Sequence, residues 1–273
     1  MQNQNRYEKT FARLALERRK GFIPYTMLGY PEPEFSFEIL EILAANGAAA
    51  LELGLAFSDP LADGPLIQDA AVKTIESGFK TKQAFEIIRK FRQRNQEIPV
   101  TLMAYFNSVL AQGPERFIKD AADSGVDGLL LVDLPPEQSL EISELCRQQA
   151  LQQIFIISPL TSSERMQVLS GLAGGFLYTV SRLGTTGVEE RYDQNLEALI
   201  KKAAALTNLP IAVGFGISTP QQAQKMYELG ADAVISGSRI IEIIKSVHSG
   251  TLDKNAIADY VKSMSEADLK LRA

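Results

Sequence analysis

The chain has 273 residues, of which 45% are hydrophobic and 22% charged, with a net charge of -5. This composition is typical of a globular protein with a sizeable core, and the acidic balance argues against binding to nucleic acid. A single histidine, His248, and a single cysteine, Cys146, exclude an intrachain disulfide and a zinc site built from these residue types. We therefore expect no metal, and catalysis that uses carboxylates, hydroxyls, amines or backbone amides.

Eight short apolar runs, rich in β-branched and aromatic residues, predict buried strands along the chain. They begin at Gly21, Ala48, Pro99, Gly128, Gln152, Gly175, Leu209 and Ala233. Segments with helical spacing separate them, as at residues 33–47 and 82–94. Regular alternation of strand and helix predicts parallel strands joined by right-handed crossovers. Eight such units form an α/β fold of the TIM type, a closed (β/α)₈ barrel.

Three further features complete this architecture. The second and third runs begin about 51 residues apart, which predicts an insertion after strand 2. An N-terminal capping helix with Tyr7, Phe11 and Leu14 is expected to close the bottom of the barrel, and residues 256–270 to form a covering helix. No linker interrupts the chain, so residues 1–273 are predicted to be a single domain. No apolar run reaches the length of about 18 residues that a membrane helix needs, and no signal peptide is recognisable, so the cytoplasm is the expected location without a membrane partner.

Carboxylates near the end of the second strand are candidates for catalysis, because barrel active sites lie at the C-terminal ends of the strands. Alternation in AAALELGL turns Glu52 into the barrel and its leucine neighbours outward. The alternative, a core ion pair, is disfavoured because none of the strand runs contains a lysine. Asp63 follows in a loop above the same end of the barrel and suggests a second carboxylate facing one substrate. Asp59 and Asp133 fit turn caps as well as functional roles.

Glycine-rich loops follow the last three strands. They read GTTG at 184–187, GFGIS at 214–218 and SGS at 236–238. Glycines let backbone amides approach phosphate oxygens, so a phosphate site is favoured over plain turns. Tyr25, Met103, Tyr105, Tyr178 and Phe215 lie near strand ends and predict a pocket for a flat apolar ring. The charged residues 188–192 suggest a lid over this site.

Several motifs together resemble the tryptophan synthase alpha subunit over essentially the whole chain. They are LELGLAFSDPLADGPLIQ, SRLGTTG, GFGIS and ISGS. The resemblance implies a lyase of L-tryptophan biosynthesis that cleaves indole-3-glycerol phosphate to indole and D-glyceraldehyde 3-phosphate, in a retro-aldol type of reaction without a cofactor. It implies catalytic Glu52 and Asp63, phosphate contacts at Gly187, Gly216, Gly237 and Ser238, and an indole pocket of Tyr25, Met103, Leu130, Tyr178 and Phe215.

The same resemblance implies a protein partner, the PLP-dependent beta chain, in an alpha2-beta2 complex. The expected contacts are loop 56–60 and the neighbourhood of Asn107 and Ser108. Ala56 stands where the family usually has proline, which changes the rigidity of that loop. Alternative interpretations are a free-standing lyase that releases indole, a non-catalytic regulatory subunit that binds phosphate esters, and a phosphate-sugar isomerase on the same scaffold. A Schiff-base aldolase is disfavoured because it needs a lysine in the barrel.

Overall fold

Eight parallel strands form a closed barrel in the order β1 to β8, with β8 pairing back to β1. The computed structural model describes residues 5–180, 189–214 and 216–269. The strands are β1 Gly21–Met27, β2 Leu51–Gly54, β3 Val100–Ala104, β4 Gly128–Leu131, β5 Gln152–Ile157, β6 Leu177–Val180, β7 Ile211–Gly214 and β8 Ala233–Ser236. The predicted barrel is confirmed, and each strand falls within its predicted run.

Helices alternate with the strands around the barrel. They are α1 Arg6–Leu16, α2 Pro33–Ala45, α3 Pro65–Glu76, α4 Thr81–Arg94, α5 Phe106–Leu110, α6 Pro114–Ser124, α7 Leu140–Gln148, α8 Ser163–Leu172, α9 Glu189–Leu206, α10 Pro220–Glu228, α11 Ser238–His248 and α12 Asn255–Ser265, with a 3₁₀ turn at Pro136–Gln138. The predicted insertion after strand 2 contains α3, which precedes the crossover helix α4. The predicted covering helix is α12, which packs against α2, α11 and β1.

Side chains of the strands divide into two cores, as the alternation along each strand requires. Leu51 and Leu53 pack outward against the helices, together with Leu102 and Val213. A smaller inner core fills the barrel lumen with Ile23, Ala50, Leu130, Ile154, Phe176, Tyr178 and Ile235. This division confirms the orientation predicted for β2, because Ala50 lies in the inner core while its leucine neighbours face the helices.

Helix α1 closes the N-terminal end of the barrel. Asn5 begins it with a capping box, in which its side chain accepts the Glu8 amide and the Glu8 carboxylate accepts the Asn5 amide. Tyr7 then enters the lumen, where its hydroxyl lies 2.6 Å from the Thr101 hydroxyl and its ring packs edge-on against Phe176. This plug blocks the lower end, so a ligand reaches the lumen from the C-terminal ends of the strands.

The single cysteine and the single histidine lie away from the C-terminal ends of the strands. Cys146 is buried in α7, and burial raises the pKa of its thiol to about 12. His248 is exposed at the last position of α11.

Across residues 5–180, 189–214 and 216–269, the helices include none with the length and apolar character needed to cross a membrane. The same ranges hold no cluster of three or more histidine, cysteine, aspartate or glutamate side chains able to bind a metal ion.

Candidate active site

A cavity of about 280 Å³ opens at the C-terminal ends of the strands. Nine of the predicted site residues line it: Tyr25, Glu52, Asp63, Met103, Leu130, Tyr178, Gly216, Gly237 and Ser238. Gly187 and Phe215 lie outside the described residues. So do the glycine-rich loop 184–187 and residue 188 of the predicted lid, whereas residues 189–192 of that lid belong to the start of α9. The fold therefore brings together residues that are up to about 210 positions apart in the sequence.

Glu52 lies on the cavity wall at the centre of β2, between Tyr25 of β1 and Thr101 of β3. The side chain is only 2% exposed, and its Oε2 atom has no hydrogen-bond partner in the described part of the chain. Burial, with a smaller contribution from the charge of Asp63, raises the pKa of this carboxyl from 4.5 to about 8. Glu52 is therefore mostly protonated at neutral pH and able to donate a proton.

Asp63 is half-buried in the loop that joins β2 to α3. Its Oδ2 atom accepts a hydrogen bond of 3.0 Å from the Tyr105 hydroxyl. Burial raises the pKa of Asp63 to about 6, and the Tyr105 hydrogen bond opposes this shift. The cavity thus holds two carboxyl groups with different pKa values, one favouring the protonated form at neutral pH and the other the ionised form.

Backbone hydrogen bonds hold the Asp63 loop in place. The Asp63 amide donates to the Pro60 carbonyl at 3.0 Å, and the Gln68 side chain donates to the Asp63 carbonyl at 2.8 Å. The Ala62 amide donates to the Tyr105 hydroxyl at 3.0 Å. Tyr105 therefore links the loop after β2 to the end of β3.

The N-terminus of α11 faces the cavity. Gly237 follows β8 directly and precedes Ser238, the first residue of this helix. Free backbone amides and the helix dipole favour an anion at such a position. A side chain at Gly237 would fill part of the space, since its Cβ atom would lie 3.3 Å from atoms of Ile67 and Tyr25. Gly216, in the loop after β7, has a φ of +78° and is needed there for its backbone conformation as well.

The remaining wall of the cavity is apolar. Met103, Leu130 and Tyr178 belong to the predicted ring pocket. Other apolar lining residues were not predicted from the sequence, among them Ile67, Val132, Ile156 and Ile235. The inward positions of Ile156 and Ile235 follow from strand alternation and were available as a signal. Ile67 comes from the inserted helix α3, whose direction no sequence pattern specifies.

Three further candidate residues do not line the cavity and make structural contacts outside it. Asp59 is exposed and accepts a hydrogen bond of 2.5 Å from the Ser58 hydroxyl. Asp133 is exposed and accepts the Phe106 amide at 2.7 Å, at the start of α5. Tyr105 was predicted in the ring pocket, but it is absent from the cavity lining and stacks on Phe57 with ring centroids 4.9 Å apart. Its path toward the Asp63 loop turns it away from the lumen.

A closed parallel barrel with a buried carboxyl at the C-terminal ends of its strands is the arrangement of the barrel enzymes. Comparison with known proteins specifies the family. The family model for the tryptophan synthase alpha chain matches residues 11–269. The tryptophan synthase alpha chain of Francisella tularensis subsp. tularensis is 39% identical over 266 residues, which cover 97% of this chain and 99% of the relative.

Solved structures agree with the sequence comparison. The tryptophan synthase subunit alpha of Legionella pneumophila str. Paris superposes with a TM-score of 0.90 at 36% identity, covering 98% of this chain and 100% of that one. A chain from the tryptophan synthase a2b2 complex of Pyrococcus furiosus gives a TM-score of 0.80 at 33% identity, covering 92% and 99%. The chain belongs to the tryptophan synthase alpha chain family. It is thereby a lyase of tryptophan biosynthesis. It carries out the alpha reaction, which is the reaction of the alpha chain of tryptophan synthase.

Proposed function

We propose that this chain cleaves indole-3-glycerol phosphate to indole and D-glyceraldehyde 3-phosphate through Glu52 and Asp63. The observation that carries the proposal is the pair of carboxyl groups on one cavity, with pKa values of about 8 and about 6. An acid and an ionised acceptor are then both available at neutral pH. The cavity also offers a helix N-terminus for the phosphate and an apolar wall for the indole ring.

Glu52 acts on the bond that breaks. Its carboxylic acid protonates C3 of the indole ring, which converts the ring into an indolenine that can accept electrons. The resulting carboxylate then takes the proton from the hydroxyl on the neighbouring chain carbon. The carbon–carbon bond breaks, its electron pair returns to the ring, and the chain carbon becomes an aldehyde. Burial without a hydrogen-bond partner for Oε2 suits this role, because the proton stays available for the substrate.

Asp63 stabilises the charge that appears on the ring. Protonation at C3 places positive charge on the ring nitrogen, and an ionised carboxylate that accepts the ring N–H stabilises that charge. The hydrogen bond from Tyr105 favours the ionised form of Asp63 and fixes one of its oxygens. The other oxygen is then the one assigned to the ring N–H.

We assign binding roles to the other predicted site residues. The phosphate is held by backbone and hydroxyl groups at Gly216, Gly237 and Ser238, together with Gly187. The indole ring packs against Tyr25, Met103, Leu130 and Tyr178, together with Phe215. We also propose that residues 1–273 work as one barrel domain in the cytoplasm.

A beta chain is the proposed protein partner, because the Pyrococcus furiosus relative belongs to an a2b2 complex that undergoes mutual activation. The proposed contact surface is loop 56–60 with Asn107 and Ser108. Leu61 and Leu110, which flank these segments, are 93% and 49% exposed. Exposed leucines beside an active-site opening support a protein contact there. The partner would use PLP and consume the indole.

The test is the formation of indole from indole-3-glycerol phosphate by the wild-type chain and by Glu52→Gln and Asp63→Asn. Each variant should lose roughly 100-fold or more in kcat, the usual worth of general acid–base catalysis. Glu76→Gln, the same change at the exposed end of α3, serves as the matched control and should keep full activity. Binding of the substrate without any indole formation by the wild-type chain would favour the regulatory-subunit alternative. Normal turnover by Glu52→Gln would refute the acid–base assignment.

A further inference from the structure

The ring of Tyr25 spans the cavity from the phosphate end to the carboxyl end. A Cβ atom on Gly237 would lie 3.3 Å from Tyr25 Cδ1, so this edge of the ring adjoins the N-terminus of α11. At the other edge, a Cβ atom on Gly54 would collide with the Tyr25 hydroxyl. Gly54 is two residues beyond Glu52 on β2 and points to the same side of the sheet. The hydroxyl therefore lies on the cavity wall beside Gly54, nearer than Glu52 to the C-terminal end of β2.

This hydroxyl is buried without a hydrogen-bond partner among the residues described. Tyr25 is 2% exposed and its oxygen makes no hydrogen bond. The fully or nearly fully buried hydroxyls of Tyr7 and Tyr227 differ, since they bond to the Thr101 hydroxyl and the Gly21 carbonyl. An unpaired buried hydroxyl is costly, whereas phenylalanine would fill the same space without that cost. A ligand that supplies the missing partner accounts for the tyrosine.

The other polar side chains described on the cavity wall either lie elsewhere in the cavity or have a proposed role. Ser218, Ser238 and Arg239 follow β7 and β8 at the phosphate end. Asp63 accepts from Tyr105 and is assigned to the ring N–H. Tyr178 lies on β6, across the barrel from β2. On the side of the cavity formed by β1 and β2, between the phosphate end and Glu52, the Tyr25 hydroxyl is an unpaired polar group that a bound chain can reach.

We propose that the Tyr25 hydroxyl hydrogen-bonds to a hydroxyl group of the three-carbon chain of the substrate. The inference rests on the proposed function, which anchors the phosphate near Gly237 and places indole C3 at Glu52. A chain between these two points must run along the Tyr25 ring and past its hydroxyl. Tyr25 then contributes to selection of a glycerol phosphate chain over one without hydroxyl groups, in addition to packing against the indole ring.

The experiment combines Tyr25→Phe with two ligands. One is indole-3-glycerol phosphate, and the other is indole-3-propanol phosphate, which has the same ring and phosphate but neither chain hydroxyl. Kd is measured for both in the Glu52→Gln background, where cleavage is slow, and kcat and KM are measured with Glu52 present. Tyr25→Phe should weaken binding of the glycerol phosphate about fivefold to tenfold, the worth of one neutral hydrogen bond. Its effect on the propanol phosphate should stay within about twofold.

Tyr227→Phe, which removes a buried hydroxyl bonded to the backbone outside the cavity, is the matched control. It should lower the Tm without changing the preference between the two ligands. Equal weakening of both ligands by Tyr25→Phe, or no weakening of either, would overturn the inference. A wild-type chain that forms no indole would instead refute the proposed function, and the two failures are thus distinguishable.

Discussion

The Tyr105 hydroxyl donates a 3.0 Å hydrogen bond to Oδ2 of Asp63, which joins the end of β3 to the loop after β2. The same hydroxyl accepts the Ala62 amide, and the Tyr105 ring stacks on Phe57. One side chain therefore influences both the position of Asp63 and its charge.

The two carboxyl groups should give kcat/KM a bell-shaped pH profile, rising through about pH 6 as Asp63 ionises and falling through about pH 8 as Glu52 loses its proton.

Tyr105→Phe should move the acidic limb of that profile to higher pH. The hydrogen bond lowers the pKa of Asp63, so its loss raises the pKa and leaves more of the carboxyl protonated at pH 6. We expect a shift of about half a pH unit or more, with the basic limb unchanged because Glu52 keeps its surroundings. The measurement is kcat/KM for indole formation between pH 5 and pH 9. A profile that keeps its acidic limb would show that Tyr105 does not control the ionisation of Asp63.

Glu52→Gln should stabilise the protein increasingly as pH rises. The folded-state pKa of about 8 exceeds the ordinary 4.5, so between these values the unfolded chain releases the proton that folded Glu52 keeps, and the wild-type protein loses stability as pH rises. Glutamine does not titrate and avoids this loss. The stability difference should grow by an amount on the order of 1 to 3 kcal/mol between pH 5 and pH 8.5.

Thermal unfolding midpoints across this pH range measure the effect, with the exposed Glu76→Gln as control. A constant difference between Glu52→Gln and wild type at all pH values would mean that the Glu52 pKa is not raised. If Glu52→Gln is more stable than wild type at high pH, the Glu52 carboxyl destabilises the fold there. Its presence in the lumen then reflects a catalytic role and not a structural one.

Sequence reasoning predicted some parts of this site because a fixed geometry underlies them. The period of two in a strand is enough to turn Glu52 inward and Leu53 outward, and the structure confirms both orientations. The bond between Tyr105 and Asp63 has no such basis. It depends on how a loop of ten residues between Gly54 and Pro65 folds over a neighbouring strand, and local pattern does not encode that path. The roles of the site residues, including Gly187 and Phe215, stay predictions.

Gly237→Val should weaken binding of phosphate esters by about tenfold or more, comparable to losing one hydrogen bond to a charged group. The valine side chain would occupy space beside Ile67 and Tyr25 and keep the phosphate away from the N-terminus of α11. Gly216 is a poorer choice because its positive φ makes any substitution strained. Kd is measured for inorganic phosphate and for indole-3-glycerol phosphate by calorimetry.

Gly171→Val is the matched control, because a Cβ atom at this exposed position on α8 meets nothing within 4 Å. It should leave both affinities unchanged. Dephosphorylated substrate should bind wild type and Gly237→Val equally. If Gly237→Val weakened the dephosphorylated substrate as strongly as the phosphate ester, the proposed phosphate site would be wrong.

The isolated chain should be a slow enzyme that a cognate beta chain accelerates by roughly tenfold or more, about 1.4 kcal/mol of barrier. Loop 56–60 offers a physical route for this effect. Phe57 stacks on Tyr105, and Tyr105 bonds to Asp63, so a partner seated on the loop would restrict the catalytic carboxylate. Indole formation with and without purified beta chain is the measurement. Phe57→Ala should reduce the acceleration more than it reduces the rate of the isolated chain.

Ala56→Pro should raise the rate of the isolated chain and reduce its dependence on the beta chain. Proline fixes φ and so limits the conformations of the loop that leads to Phe57. Proline lacks a backbone N–H, but no hydrogen bond would be lost, because the Ala56 amide donates none to any residue that the structure describes. We expect an increase of about twofold to fivefold in kcat without the partner, and a smaller acceleration when the beta chain is added. The test compares both rates for wild type and Ala56→Pro, with the Tm confirming that the variant folds. If wild type reached its full rate alone and the beta chain changed neither protein, the chain would be a free-standing lyase and loop 56–60 would have no role in activation.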